Sequence, residues 1–235
     1  MRKLSFLFMI IFVFALVACQ QGAKTDSGNG IVENESKVDV VDKNRSELNK
    51  GIGDPAKENK EEVKKEIALS TFFMKDEAEA EFRGEGNEFA QFTAKTQWLN
   101  DHFVNVYENN GGTVMLRTFR IDKDKIVVVR EEGESYDDYS PSDSELKQLE
   151  PIYTYLHLPL NKGSKFDGWT VIDNKATLDT PLQEFSDVIV IEREGDDGSI
   201  TRKYFAKDYG EIKREIIMKE GTEEFTVTST IEKVK

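Results

Sequence analysis

The residues that most often carry enzyme chemistry are few in this sequence and stand far apart. The chain has two histidines, His102 and His157, and no H-E-x-x-H, G-x-S-x-G or P-loop motif accompanies them. His157 follows Tyr153 and Tyr155 at alternate positions, so on a strand the three side chains would share one face. His102 follows Trp98 at the entrance to another apolar run. Both patterns favour a structural histidine over a catalytic base or a metal ligand.

Pairs of carboxylates are more frequent, and such pairs can bind calcium or carry out acid–base hydrolysis. The pairs that stand out are Asp122/Asp124, Asp137/Asp138 and Asp196/Asp197. None of them fits the D-x-[DN]-x-[DN]-G pattern of a calcium loop, and the third pair is explained by a hairpin turn that ends at Gly198. Glycosidase pairs are recognised by their separation in space, which a sequence does not give. We therefore predict no catalytic residues and no metal site.

Aromatic side chains crowd the first half of the folded region. On a strongly curved sheet, one aromatic face could line a cavity for an apolar ligand. The same pattern is also typical of a filled core, and the sequence leaves both interpretations open. No cofactor is predicted. The aromatic residues concerned are Phe72, Phe73, Phe82, Phe89, Phe92, Trp98, Phe103 and Phe119.

The chain begins with a segment of the kind that directs export. Arg2 and Lys3 precede about fourteen apolar residues, too few for a permanent membrane span. Leu-Val-Ala at 16–18 then precedes Cys19, the one cysteine of the sequence. This arrangement resembles the lipobox of bacterial lipoproteins, in which the chain is cut before the cysteine and the cysteine is acylated. We expect residues 1–18 to be a signal peptide and Cys19 to carry a diacylglyceryl anchor in the cell membrane, on its extracytoplasmic face.

Charge and cysteine usage restrict the function further. Without residues 1–18 the chain has 30 basic and 45 acidic residues, a formal charge of −15. A nucleic-acid-binding surface needs a basic footprint, so nucleic-acid binding is excluded. An acidic surface is also repelled by anionic lipid headgroups. With Cys19 acylated, no thiol remains for a disulfide, a nucleophile or a metal site.

Residues 19–66 have the composition of a flexible linker. No aromatic residue occurs from Gln20 to Glu66, where Gly, Ser, Asn, Glu and Lys dominate. A flexible chain of this length has a typical end-to-end distance of roughly 35–40 Å. Such a tether would hold the folded part away from the membrane, and a thick-walled, Gram-positive envelope would suit it.

Residues 67–235 predict a single, mainly β domain of about twelve antiparallel strands. Alternating apolar and polar positions recur between hairpin signals such as Asn109-Asn-Gly-Gly and Gly195-Asp-Asp-Gly. The segments 169–172 and 175–178 read as two separate strands. An acidic loop at 132–150 ends in a short helix at 144–149. The expected architecture is a curved sheet, a half-barrel or a barrel-like sandwich.

Four segments of this domain carry a family resemblance. They resemble uncharacterised extracytoplasmic lipoproteins of Bacillus- and Clostridium-type bacteria, which share a GEGNE-A turn, a PL-x-x-G-x-x-W segment and a YYAKG-x-G-x-x-K hairpin. The resemblance implies an extracytoplasmic address and a β-rich fold, and it carries no known activity. The segments are Glu81–Ala90, Asn110–Val114, Leu158–Trp169 and Tyr204–Arg214.

From these observations we expect a membrane-anchored, non-enzymatic binding or interaction module. Its partners would be the membrane, through the anchor on Cys19, and either an apolar small molecule or another envelope protein. The alternative is a cell-envelope hydrolase that uses paired carboxylates.

Overall fold

The structure is a computed structural model, and it describes residues 67–220 and 223–235. The predicted signal peptide, Cys19 and the linker lie outside the described residues. Among the described residues, no helix is long and apolar enough to cross a membrane.

Twelve antiparallel strands form one sheet, as the sequence predicts. Their order in the sheet is β6-β5-β4-β3-β2-β1-β12-β11-β10-β9-β8-β7. Strands that follow one another in the chain are therefore neighbours in the sheet, except β6 and β7. The strands are β1 (Glu79–Glu85), β2 (Phe92–Asn100), β3 (Phe103–Asn109), β4 (Val114–Ile121), β5 (Lys125–Glu132), β6 (Tyr153–His157), β7 (Lys165–Phe166), β8 (Trp169–Asp179), β9 (Glu184–Glu194), β10 (Ile200–Ala206), β11 (Gly210–Glu220) and β12 (Glu223–Val234).

The sheet curls until its two edge strands nearly meet. The backbone N–H of Thr154 in β6 donates to Oδ2 of Asp167, just after β7, at 2.7 Å. Right-handed twist and β-bulges give a long antiparallel sheet this curvature. Bulges interrupt the pairing of β1 with β12, of β4 with β5 and of β10 with β11. The result is a nearly closed barrel, and the predicted fold class is confirmed.

Two local expectations need correction, and one strand, β7, was not expected. The two strands expected at 169–172 and 175–178 are one strand, β8, whose register against β9 shifts at three points. Those shifts disrupt the alternation of apolar residues without ending the strand. The two-residue strand β7 is too short to produce a periodic pattern. The helix is α1 at Asp143–Leu146, and it begins earlier and ends sooner than expected.

The chain before β1 closes one end of the barrel. A 3₁₀ turn at Leu69–Phe72 buries Phe72 to 1% exposure and packs its ring edge-on against Phe205. The carbonyl of Thr71 accepts from the N–H of Asp208 at 2.6 Å. We call residues 69–74 the plug. The plug therefore covers the barrel end beside the β10–β11 turn.

The acidic loop between β5 and β6 lies on the outer face of the barrel. Asn105 donates to the carbonyl of Tyr139 at 2.9 Å, and Tyr107 accepts from the N–H of Tyr139 at 2.8 Å. Leu146 of α1 is buried against Phe103 and its neighbours. The loop is therefore packed onto the β-sheet, with Tyr136 as its exposed aromatic residue.

Gly210 should be essential for seating the plug. It has φ +74°, and a Cβ at this position would lie 2.7 Å from the carbonyl oxygen of Phe72. We expect Gly163→Ala, where φ is +91° and no atom lies within 4 Å, to lower the free energy of unfolding by about 1 kcal/mol. Gly210→Ala should lower it by about 1–3 kcal/mol more. Urea denaturation measures the free energy of unfolding of both variants. Equal decreases would show that the close contact between Gly210 and the plug does not contribute to stability.

Candidate functional site

The barrel encloses a cavity of about 220 Å³ beside the plug. We call it the inner cavity. Its wall has an aromatic part and an ionised part, so it is amphipathic rather than purely apolar. The aromatic part consists of Phe72, Phe73, Phe82, Phe92, Phe119, Tyr153, Tyr155 and Tyr209, and the ionised part consists of Glu108, Arg117, Lys203, Glu211 and Arg214.

Glu108 on β3 holds two guanidinium groups at the ionised wall. Nη2 of Arg214 lies 3.0 Å from its Oε1, and Nη1 of Arg117 lies 3.0 Å from its Oε2. Arg117 also donates from Nε to Glu131 at 2.6 Å, and Glu131 accepts from the hydroxyl of Tyr153 at 2.8 Å. Both oxygens of Glu108 are therefore engaged by cations.

Glu211 on β11 continues the series. Its Oε1 accepts from Nε of Arg214 at 2.6 Å, and its Oε2 lies 3.0 Å from Nζ of Lys203. The hydroxyl of Tyr155 donates to the same Oε2 at 3.0 Å. We call the alternating series Arg117–Glu108–Arg214–Glu211–Lys203 the ion chain.

The ion chain crosses the barrel. Strand β3, which bears Glu108, and strand β11, which bears Arg214, are four places apart in the sheet. Side chains of such distant strands meet only across the interior of a curled sheet. The Glu108–Arg214 pair therefore joins facing walls. Each ion of the chain keeps about 10–23% of its side chain accessible.

The cations of the ion chain keep both carboxylates ionised. Burial would raise the pKa of Glu108, but Arg214 and Arg117 outweigh it and lower that pKa to about 2. Burial would likewise raise the pKa of Glu211, and Arg214 and Lys203 lower it below its usual range. Burial lowers the pKa of Lys203, with Glu211 opposing that effect.

This electrostatic setting bears on the chemistry available to the two carboxylates. Hydrolysis by a carboxylate pair requires one carboxyl group with a raised pKa, which donates a proton to the leaving group. Glu108 and Glu211 both have lowered pKa values. The pair is suited to holding donors in place rather than to donating a proton.

A second cavity, of about 330 Å³, lies on the other side of the ion chain. We call it the outer cavity. It shares Phe92, Glu108, Arg117 and Arg214 with the inner cavity, so the Glu108–Arg214 pair stands between the two. Its rim includes Phe89, which is 56% exposed. The outer cavity therefore offers a route from solvent to the ion chain.

The aromatic residues singled out from the sequence divide into two groups. Five of them, Phe72, Phe73, Phe82, Phe92 and Phe119, line the inner cavity. The other three do not. Trp98 donates to the carbonyl of Met74 in the plug, Phe103 is buried under α1, and Phe89 is at the outer rim. The first half of the chain thus supplies both core and cavity, the two interpretations that the sequence left open.

Neither histidine faces the inner cavity. His157 stacks on Phe166 at 6.5 Å between ring centroids, and its Nε2 lies 3.8 Å from Asp124. It does not share the cavity-lining face of Tyr153 and Tyr155, because a register shift in β6 interrupts the alternation. His102 is exposed in the β2–β3 turn.

The three aspartate pairs also lie away from the inner cavity. Asp122 accepts from Arg120 in the β4–β5 turn at 3.0 Å, and Asp197 accepts from the N–H of Ser199 in the β9–β10 turn at 2.9 Å. Asp137 and Asp138 are exposed in the acidic loop between β5 and β6. In residues 67–220 and 223–235, no three His, Cys, Asp or Glu side chains are grouped in a way that could hold a metal ion.

The ion chain was not predicted, although a signal for it exists. Glu108 continues the inward-facing series Val104–Val106, and Lys203 and Arg117 each stand two residues before an inward-facing phenylalanine. A charged residue in phase with buried neighbours on an alternating strand is unusual, because burial of an unpaired charge is costly. Glu108 and Arg214, the pair that joins the two halves of the ion chain, lie 106 residues apart along the sequence, so sequence spacing alone does not pair them.

The sequence matches no protein-family model and no curated protein. Among solved structures, the chain is similar to a Bacteroides fragilis protein that is described as exported and as having a YmcC-like fold. The identity is 12%, the TM-score is 0.44, and the match covers 70% of this chain and 98% of that one. A likeness at this level carries no inference about function.

The ion chain should be strongly coupled energetically. Glu108→Gln leaves Arg214 and Arg117 without their shared carboxylate, and we expect a loss of about 3–5 kcal/mol in the free energy of unfolding. Adding Arg214→Met should cost less in this variant than in the wild type, with a coupling energy of about 1–3 kcal/mol. Urea denaturation of the four proteins gives this value.

The exposed pair Arg83–Glu85 provides the matched control. Its atoms are 3.5 Å apart and its side chains are 52% and 65% exposed. Substitution of Glu85→Gln should change stability by less than about 1 kcal/mol. Additive effects of Glu108→Gln and Arg214→Met would contradict the coupling across the barrel.

Proposed function

We propose that this protein is a membrane-tethered, extracytoplasmic binding module whose barrel holds a small amphipathic molecule. The observation that carries the proposal is the inner cavity, in which aromatic rings face an alternating series of ionised groups. Ligand sites are typically apolar concavities with a few convergent polar groups, and this cavity has that character.

The ligand is expected to differ from the purely apolar molecule that the sequence suggests. A wholly apolar occupant would cover the ion chain without replacing the water that solvates its ions, and desolvation of charges is costly. A molecule with a polar group at the ion chain and an apolar body on Phe73 and Phe119 avoids that cost. The volume of about 220 Å³ corresponds to roughly seven water molecules, so the occupant is small.

The hydrolase alternative has less support. Its best carboxylate pair is Glu108 and Glu211, and the lowered pKa of each removes the proton donor that such a mechanism needs. The acidic loop between β5 and β6 is packed on the sheet, where Asn105 and Tyr107 hold the backbone of Tyr139 by hydrogen bonds. Less of its surface is therefore available to a protein partner than a free loop would present.

Native mass spectrometry of the full chain, purified from bacterial membranes in detergent, tests the proposal. We expect an added mass of a small molecule that disappears on denaturation, whereas a covalent anchor stays on the chain in both measurements. Extraction then identifies the class of the molecule. A native mass equal to the denatured mass, for protein from several growth conditions, would count against an occupied cavity.

The membrane tether depends on Cys19 as the lipidation site. More than one acyl chain, at ~0.8 kcal/mol per buried methylene, is needed for a stable anchor. We expect Cys19→Ser to lack the acyl mass and to be either released from the membrane fraction or left with residues 1–18 uncleaved, whereas Ser27→Ala in the linker should be processed and membrane-bound like the wild type. A Cys19→Ser protein that stays fully membrane-bound with unchanged mobility would refute lipidation at this residue.

A further inference from the structure

Lys203 differs from the other cations of the ion chain in how its hydrogen-bonding capacity is used. Arg117 is held by Glu108 and Glu131, and Arg214 is held by Glu108 and Glu211. Within residues 67–220 and 223–235, the ammonium group of Lys203 has one carboxylate in ion-pair contact, Glu211, at 3.0 Å. An ammonium group has three donors, so Lys203 has capacity for a further acceptor.

Two aromatic rings flank the ammonium group, which also lines the inner cavity. Nζ of Lys203 lies 5.0 Å from the ring centroid of Tyr155 and 5.9 Å from that of Trp169. Ring faces attract a cation weakly compared with an anion in a desolvated site. The rings therefore keep the ammonium group in place without supplying the second anion that a buried cation favours.

The apolar surface needed by the rest of a ligand lies next to this cation. Tyr155 contacts Phe119 at 4.8 Å between centroids, and Phe119 contacts Phe73 at 5.2 Å. Lys203, Tyr155, Phe119 and Phe73 all line the inner cavity. A charged group at Lys203 and an apolar body on Phe119 would thus be separated by about the width of one ring.

We propose that Lys203 binds the anionic group of a small amphipathic acid whose apolar body lies against Phe119 and Phe73. The inference deepens the proposed function and rests on it. A single negative charge fits best, because Glu211 at 3.0 Å from Lys203 repels a second one. A cationic ligand would add a positive charge beside a chain of three cations and two carboxylates, and a neutral one would accept from Lys203 without the charge-assisted bond that an anion forms.

Three probes with one phenyl body and different charges test this assignment: phenylacetate, 2-phenylethanol and phenethylamine. Binding to the full chain in detergent is measured by calorimetry and by the fluorescence of Trp169 and Trp98. We expect phenylacetate to bind about 10- to 100-fold more tightly than 2-phenylethanol, the range for a charge-assisted hydrogen bond. Phenethylamine should bind most weakly.

Lys203→Met removes the ammonium group and keeps an unbranched apolar side chain, and it should abolish the preference for phenylacetate over 2-phenylethanol. Lys213→Met is the matched control: Lys213 lies 2.7 Å from Glu215 and 5.3 Å from the ring of Tyr204, and it does not line the inner cavity. It should keep the preference. Lys203→Arg should also keep it, which separates loss of charge from loss of fold.

The outcomes distinguish this inference from the proposed function. Equal binding of phenylacetate and 2-phenylethanol, or an unchanged preference in Lys203→Met, would overturn the role of Lys203 while leaving a binding cavity. A cationic or uncharged molecule recovered by native mass spectrometry would do the same. Failure of all three probes to bind at millimolar concentration would also overturn it, whereas the proposed function is decided separately by the added native mass.

Discussion

The buried ion chain is the constraint on which the rest of the barrel depends. Glu108 and Arg214 come from strands that do not touch in the sheet, and their contact requires the sheet to curl until its walls face each other. Removing one member leaves its neighbours with fewer partners and little water, a costly state in a protein interior. A flat or open arrangement of the same strands would separate Glu108 from Arg214 and divide the ion chain in two. The ion pairs therefore add little to the net free energy of unfolding. They do determine which strands face each other across the barrel.

The plug and the ion chain together set the size of the cavity. Apolar packing of the plug, with Phe72 on Phe205, fills one end of the interior and supplies part of the aromatic wall. The ion chain crosses the interior further along, where charged side chains cannot pack as closely as apolar ones because each needs its hydrogen-bond partners. The space between the two is the inner cavity. Its amphipathic wall is thus a consequence of how the barrel is closed.

Much of the fold is predictable from the sequence, because β-strand periodicity is local. Strands β1 to β4 follow from alternation between turn signals, and β5 follows from a continuous apolar run. The errors occur where bulges disrupt alternation, as in β8, and where an element is as short as β7. The curl of the sheet is specified by bulges and by contacts between distant residues, and neither is visible in the local pattern. The sequence therefore leaves barrel, half-barrel and sandwich as alternatives, and the approach of β6 to β7 in the structure decides for a nearly closed barrel.

The candidate site was harder to predict than the fold, for a reason that is physical. The aromatic half of the inner cavity could be predicted from a cluster of phenylalanines, because each large apolar residue by itself indicates a buried position. The ionised half could not be predicted, because the sequence has many charged residues and does not show which carboxylate pairs with which cation across the barrel. The aspartate pairs carry little information of this kind, since Asp122 pairs with Arg120 beside a turn and Asp197 accepts within one. Charged residues at inward-facing positions of an alternating strand, such as Glu108 and Lys203, are the better guide. A charge at such a position needs an oppositely charged partner inside the barrel.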